Sequence, residues 1–133
     1  TTVEAETTPT VKRKMIAATA SDTVRAKSRT GKLSGQLRSA WTDAWESTGA
    51  PEPLPMPLQS LVSEPALRKV DKLAEGGHGG AEALATYWVG QAVGLMNAEQ
   101  SVADVMLGFK TDFIEAHGRI SAFIGGVDDA ASE

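Results

Sequence analysis

The ten residues from Tyr87 to Met96, reading YWVGQAVGLM, do most to limit what this chain can form. They are apolar except for Gln91 at the centre, and two glycines, Gly90 and Gly94, stand four apart. Read as part of a helix over Ala81 to Met96, the pattern puts Leu84, Trp88, Gln91 and Leu95 on one face. Gly90 and Gly94 then make a second stripe where another backbone or a flat ligand comes close. Glycine inside a helix costs about 1 kcal/mol relative to alanine, so two of them ask for a packing or binding reason. Tight helix-on-helix packing, with Gln91 bonded to a neighbouring carbonyl, competes with the ligand reading.

Elsewhere the signals are mainly helical. Thr8-Pro9 reads as a helix start, with Thr8 as cap and Pro9 in the first turn. A stripe of Val11, Met15, Ile16 and Ala18 carries that helix to about Thr19. Thr23 to Ser28 alternates weakly, as a short strand does, and Thr30-Gly31 marks a turn. Ser34 is expected to cap a second helix to about Ser47, with Leu37, Trp41, Ala44 and Trp45 on one side. Gly49 to Pro57 holds four of the six prolines and reads as a connector, ordered or flexible, since proline donates no backbone hydrogen bond. A short helix over Leu58 to Ser63 is expected before another that starts at Glu64-Pro65 and turns Leu67, Val70 and Leu73 inward.

The glycines around His78, from Gly76 to Gly80, mark a hinge or loop. A phosphate cradle would follow a strand, and a helix is expected there instead. A long amphipathic helix is expected after Ser101, with Val102, Val105, Phe109, Phe113, His117, Ile120 and Ile124 recurring at three- and four-residue steps. Gly125-Gly126 is expected to stop it, leaving Val127 to Glu133 as a frayed acidic tail. These signals divide the chain into residues 1–48, a proline-rich connector with short helices over 49–75, and a C-terminal helical pair over 76–133.

With 133 residues the chain has room for one modest core. Its net charge of −4 gives no support for nucleic-acid binding. The basic residues do gather early, at Lys12, Arg13, Lys14, Arg25, Lys27, Arg29, Lys32 and Arg38. They read mostly as solvated helix faces, with the mouth of an anionic ligand site as the alternative. There is no cysteine, hence no disulfide and no thiolate metal site. The longest apolar run is too short to span a bilayer, and a cytoplasmic location is expected.

Three stretches carry a resemblance. Trp88 to Leu95, WVGQAVGL, resembles the C-terminal signature of the nitronate monooxygenase (2-nitropropane dioxygenase-like) family of FMN-dependent TIM-barrel enzymes, shared with flavin-dependent enoyl-ACP reductases. Thr30 to Arg38, TGKLSGQLR, is similar to a glycine- and arginine-bearing stretch upstream in that family. Trp41 to Trp45 followed by Pro55 to Gln59 resembles the segment that comes next there, and looks most like a subgroup from actinobacterial steroid-ring breakdown. The order agrees over residues 1 to about 120.

The resemblance implies a mainly α chain that forms the C-terminal helical segment of an α/β FMN-binding TIM-barrel enzyme. It implies FMN as cofactor, with Gly90 and Gln91 beside it, and Tyr87 and Trp88 in the wall of the substrate pocket. The phosphate-binding loops and the histidine base are expected before residue 1, in a missing N-terminal barrel portion, so the isolated chain is expected to be inactive. No catalytic residue is assigned within it. The implied partner is a small-molecule substrate, an alkyl nitronate or a CoA ester. Trp88 departs from family members with a small polar residue at its place, which favours a planar or fused-ring substrate over a simple nitronate.

The other chemical candidates have plainer readings. His117, on an apolar face, reads as a partly buried structural histidine. His78 has only Glu75 near it in sequence, and neither histidine has the spacing of a zinc motif. No Gly-x-Ser-x-Gly elbow is present. Asp43 and Glu46 read as a solvated face, and Trp41 and Trp45 as core. A stand-alone helical interaction module without catalysis is the competing reading of the whole chain, and a helical domain with no assignable role is the third.

Overall fold

The structure is a computed structural model that describes residues 1–130, with side chains to residue 125. In chain order it contains α1 (Pro9–Ala17), a 3₁₀ turn (Ala20–Asp22), β1 (Thr23–Ala26), β2 (Ser34–Leu37), α2 (Ala40–Glu46), α3 (Leu58–Glu75), α4 (Gly79–Leu84), a second 3₁₀ segment (Gln91–Leu95) and α5 (Val102–Ala130). These fall into two units: Thr1 with Ala5–Glu99, and Thr2–Glu4 with the chain from Gln100 onward.

In the first unit α1 begins as its sequence predicts. The Thr8 hydroxyl accepts from the Val11 amide at 3.3 Å, and Pro9 occupies the first turn, where its missing N–H costs nothing. The helix buries Val11 and Met15 against Val93, with Ala18, Tyr87 and Val89 packed around them. β1 and β2 form an antiparallel hairpin in which Thr23 faces Leu37 and Ala26 faces Ser34. This corrects the expectation of a helix capped by Ser34. Residues 34–37 are a strand because their backbone is taken on both sides, by β1 and by the segment around Trp88. The helix starts only at Ala40, after Ser39, whose amide donates to the Thr42 hydroxyl at 2.9 Å.

The two helices expected over residues 58–75 are one. Pro65 lies inside α3, seven residues after Leu58. Its buried face is Gln59, Ser63, Leu67 and Ala74, while Leu73, expected inside, is exposed. The polar members of that stripe are satisfied by loop backbone. Gln59 donates to the Ser28 carbonyl at 2.8 Å and accepts from the Leu54 amide at 3.0 Å, and Ser63 donates to the Arg29 carbonyl at 2.6 Å. Loops at 27–33 and 50–57 have no ladder of their own, so side chains from α3 do that work.

The helix expected over Ala81 to Met96 is also corrected. α4 ends at Leu84, residues 85–90 run extended, and Gln91–Leu95 form a 3₁₀ segment. The extended stretch pairs with β2: Leu37 donates to the Tyr87 carbonyl at 2.9 Å and Val89 to the Gly35 carbonyl at 3.2 Å. Leu84, Trp88, Gln91 and Leu95 therefore share no helical face. Gly94 is required for another reason, since a Cβ there would lie 2.8 Å from the Ala20 amide nitrogen.

In the second unit, Ser101 caps α5. Its hydroxyl accepts from the Asp104 amide at 3.0 Å and donates to the Asp104 carboxylate at 2.6 Å. Glu4 accepts from the Val102 amide, placing a carboxylate at the positive end of the helix. The expected stop at Gly125-Gly126 is not observed, because α5 runs through both to Ala130. Of the expected acidic tail, residues 131–133 lie outside the described residues. No described helix is long and apolar enough to cross a membrane.

Gly31 and Gly49 both hold a positive φ, but only Gly31 is enclosed, against the Leu54 carbonyl and 2.8 Å from the Met56 amide nitrogen. Gly49→Ala should cost about 1 kcal/mol, the left-handed penalty alone. Gly31→Ala should lower stability further, because backbone must move. Urea unfolding of the two variants checks the order.

Candidate functional site

The extended stretch 85–90 passes between two grooves. Pairing with β2 alternates its side chains, so Tyr87 and Val89 pack toward the α1 core while Trp88 lies on the other side. Gly35 lets the strands close, since a Cβ there would collide with the Val89 carbonyl.

Trp88 is half-exposed and rests on a cation. The Arg29 guanidinium carbon lies 3.6 Å from the indole centroid and 5.9 Å from the Tyr87 ring. Tyr87 and Trp88 meet edge-on, with centroids 5.9 Å apart. Arg29 is only 6% exposed. Glu64 of α3 holds it from below, with Nε to Oε1 at 2.7 Å and a second nitrogen to Oε2 at 3.3 Å. The remaining guanidinium nitrogen, Nη1, is buried without a partner. The carboxylate pairs with the edge of the guanidinium while the indole lies against its face, and a partly desolvated Arg–Trp contact of this kind is worth roughly 1–2 kcal/mol.

Most of the early basic residues are exposed as expected, among them Arg13, Arg25, Lys27, Lys32 and Arg38, but two depart from that reading. Arg29 is interior, and the Lys14 ammonium, half-buried, donates to the Glu82 and Ala85 carbonyls at the end of α4. Burial pushes the Lys14 pKa down, opposed by the nearby Glu82 carboxylate.

Gly90 and Gln91 are exposed and border a groove of about 540 Å³ with Thr23, Val24, Arg25, Gly35 and Val89. Nothing lies within 4 Å of the place a Gly90 Cβ would occupy, so the backbone there is open to approach. Tyr87 lines a different groove of about 440 Å³, with Glu6, Thr8, Val11 and Asp71 among its walls. The four residues marked by the sequence thus stay adjacent along the chain but face different sides. Burial raises the Asp71 pKa, partly opposed by Arg29 and reinforced by Glu75 and Glu64.

The interior polar set was not legible beforehand. Gln36, fully buried, accepts from Ser28 at 3.1 Å and donates to the Ala26 carbonyl at 3.1 Å, tying the hairpin loop to the same network as Gln59 and Ser63. The signal was present as Gln59, Ser63, Leu67 and Asp71 at steps of four, but an apolar-only reading of α3 passes over it.

His78 is the N-cap of α4, its Nδ1 accepting from the Ala81 amide at 3.2 Å. No metal-holding cluster occurs among the described residues. Asp43 pairs with Arg38 at 3.3 Å on the surface. Trp41 and Trp45 meet at 6.0 Å, partly buried rather than core. His117 is exposed, not partly buried.

The chain is 50% identical over 127 residues to a Mycobacterium tuberculosis (strain ATCC 25618 / H37Rv) protein named "Putative monooxygenase Rv1533". The match takes in 93% of this chain and 33% of that protein, so the chain spans about one third of the length of the curated relative it matches. No family model matches the sequence, and no solved structure matches it.

Two stability experiments follow. Glu64→Ala should cost about 3 kcal/mol, because it strands a buried guanidinium. Arg29→Met should cost less, since Glu64 can turn to water. For Asp71 the folded-state pKa lies above the unfolded one, so its ionisation weakens the fold as pH rises through the folded value. Asp71→Asn should therefore stabilise at pH ~7 and lose that advantage below pH ~4, where both states are protonated. Denaturant midpoints across that range check the sign.

Proposed function

We propose that this chain forms the C-terminal wall of an FMN-dependent oxidoreductase of the nitronate monooxygenase kind, within an α/β TIM-barrel whose remaining part corresponds to the two thirds of the relative not matched here. The observation that carries the reading is the 50% identity to a protein named for monooxygenase chemistry. A cytoplasmic enzyme acting on a nitronate or CoA-ester substrate is part of the proposal.

The residues present fit a flat cofactor in one respect. Gly90 offers an open backbone with no Cβ to hold a ring away, and Gln91 stands exposed beside it in the groove with Arg25. When bound, FMN would supply a two-electron carrier, accepting electrons from a substrate that is oxidised or, once reduced by NAD(P)H, donating them to one that is reduced. In this reading Gln91 hydrogen-bonds a flavin edge or the backbone that carries it, and Gly90 allows the approach. Trp88 presents its uncovered indole face to a planar substrate while Arg29 fixes the other face. Tyr87 contributes through its edge contact to Trp88. Three chemistries fit: oxidation of a nitronate to a carbonyl compound and nitrite, reduction of an enoyl thioester, and a redox step on a steroid-derived CoA ester.

One observation favours the second reading, a helical interaction module: α5 exposes Phe109, Phe113 and Phe123 together.

The complete enzyme should be yellow. Trp88→Ala should change kcat/KM by about tenfold, equivalent to ~1.4 kcal/mol at the transition state, while sparing flavin content. Gly90→Ala should do the reverse, lowering flavin occupancy with little change in unfolding of the isolated chain. Unaltered kinetics in the first variant would remove Trp88 from the pocket. Nitrite release measured against NAD(P)H consumption separates the three chemistries.

A further inference from the structure

We propose that α5 pairs with α5 of a second copy of this chain, as an antiparallel two-helix coil. The inference stands apart from the flavoenzyme reading and rests on the spacing, exposure and charges of one helix.

Val102, Met106, Phe109, Phe113, Ala116, Ile120 and Phe123 follow one another at steps of four, three, four, three, four and three. That is an unbroken heptad seam of 22 residues, about 33 Å of helix at 1.5 Å per residue. Its members are bare: exposure runs from 46% at Val102 to 75% at Phe123, with Ala116 partly exposed. At 100° per residue the seam occupies a band about 100° wide. Gly108, Gly118 and Gly125 lie outside that band, each with open space where a Cβ would stand. Leu107 and Ile114 are exposed as well, outside the band, but the seam alone carries apolar side chains at every step of the heptad.

The seam fits a reversed copy of itself. In the antiparallel register, Phe113 meets the partner's Ala116, Phe109 meets the partner's Ile120, and Met106 meets the partner's Phe123. Every one of these layers sets a phenylalanine against a smaller or more pliable side chain, and two-fold symmetry repeats each layer. A parallel pair would set Phe109, Phe113 and Phe123 each on its own copy and leave a gap at Ala116, alternating overpacked layers with a void.

Charge selects the same register. Asp112 and Arg119 flank one edge of the seam, and reversal brings Asp112 against the partner's Arg119 twice over. The parallel arrangement sets Arg119 beside the partner's Ile124. Within its own chain Arg119 reaches Glu115 only at 4.0 Å, between exposed side chains, a contact worth little and easily exchanged.

These 133 residues include no cysteine, which makes thiol cross-linking clean. In the variant carrying Asp112→Cys and Arg119→Cys, the two thiols of one helix lie two turns apart, beyond disulfide reach. Mild oxidation of the 133-residue chain should therefore give a covalent dimer. Sedimentation equilibrium should show the unmodified chain as a dimer at micromolar concentration. Phe113→Asp, at a side chain 73% exposed in the single copy, should weaken association at least ~100-fold (about 2.7 kcal/mol) without loss of helical circular dichroism. Asp112→Arg should weaken it, and adding Arg119→Asp should restore it. A chain that stays monomeric overturns the proposal. So does a dimer indifferent to Phe113→Asp, or one whose 112 and 119 thiols fail to cross-link.

Discussion

The first unit is organised around a buried cation. Taking the Arg29 guanidinium from water is costly unless its hydrogen-bonding edge and its faces are occupied. Glu64 takes the edge and Trp88 takes a face. Those two side chains come from α3 and from the extended stretch before Gln91, segments far apart in sequence. Holding one guanidinium by an edge and a face, with Nη1 left unpartnered, thus fixes the position of both relative to the hairpin loop that carries it.

Around that cation the interior is unusually polar. Ser28, Gln36, Gln59 and Ser63 are buried and joined by hydrogen bonds to loop backbone. A purely apolar filling would leave the carbonyls of Ser28 and Arg29 and the amide of Leu54 without partners. Such a network gives less transfer energy than leucines would, but it pins loops that have little secondary structure. The apolar core proper is small, centred on Val11, Met15 and Val93.

What could be read in the sequence follows from this division. α1 was legible because its start depends on local chemistry, Thr8 and Pro9, and α5 because its apolar period runs unbroken for several turns. The hairpin's first strand and the Thr30-Gly31 turn were legible for the same local reason. The stretch 85–95 was not, because its apolar period fits a helix while a partner strand claims its backbone, and tertiary pairing outweighs propensity. Ser34 misled in the same way. For the site, Gly90, Gln91, Tyr87 and Trp88 were picked out by likeness and composition. Arg29, which seats Trp88, was invisible: its charge suggested solvent, and its partner lies 35 residues on.

The Gly35 contact has one more consequence. The indole is delivered to the surface by main-chain pairing of residues 87 and 89 with β2, and the absence of a side chain at 35 is what lets the two backbones close. Nothing in that rail depends on the identity of residue 88. The seat of the indole does depend on it, because the ring covers a face of the buried Arg29 guanidinium; a side chain added at 35 parts the two backbones, whereas a smaller one at 88 leaves them paired and uncovers the cation.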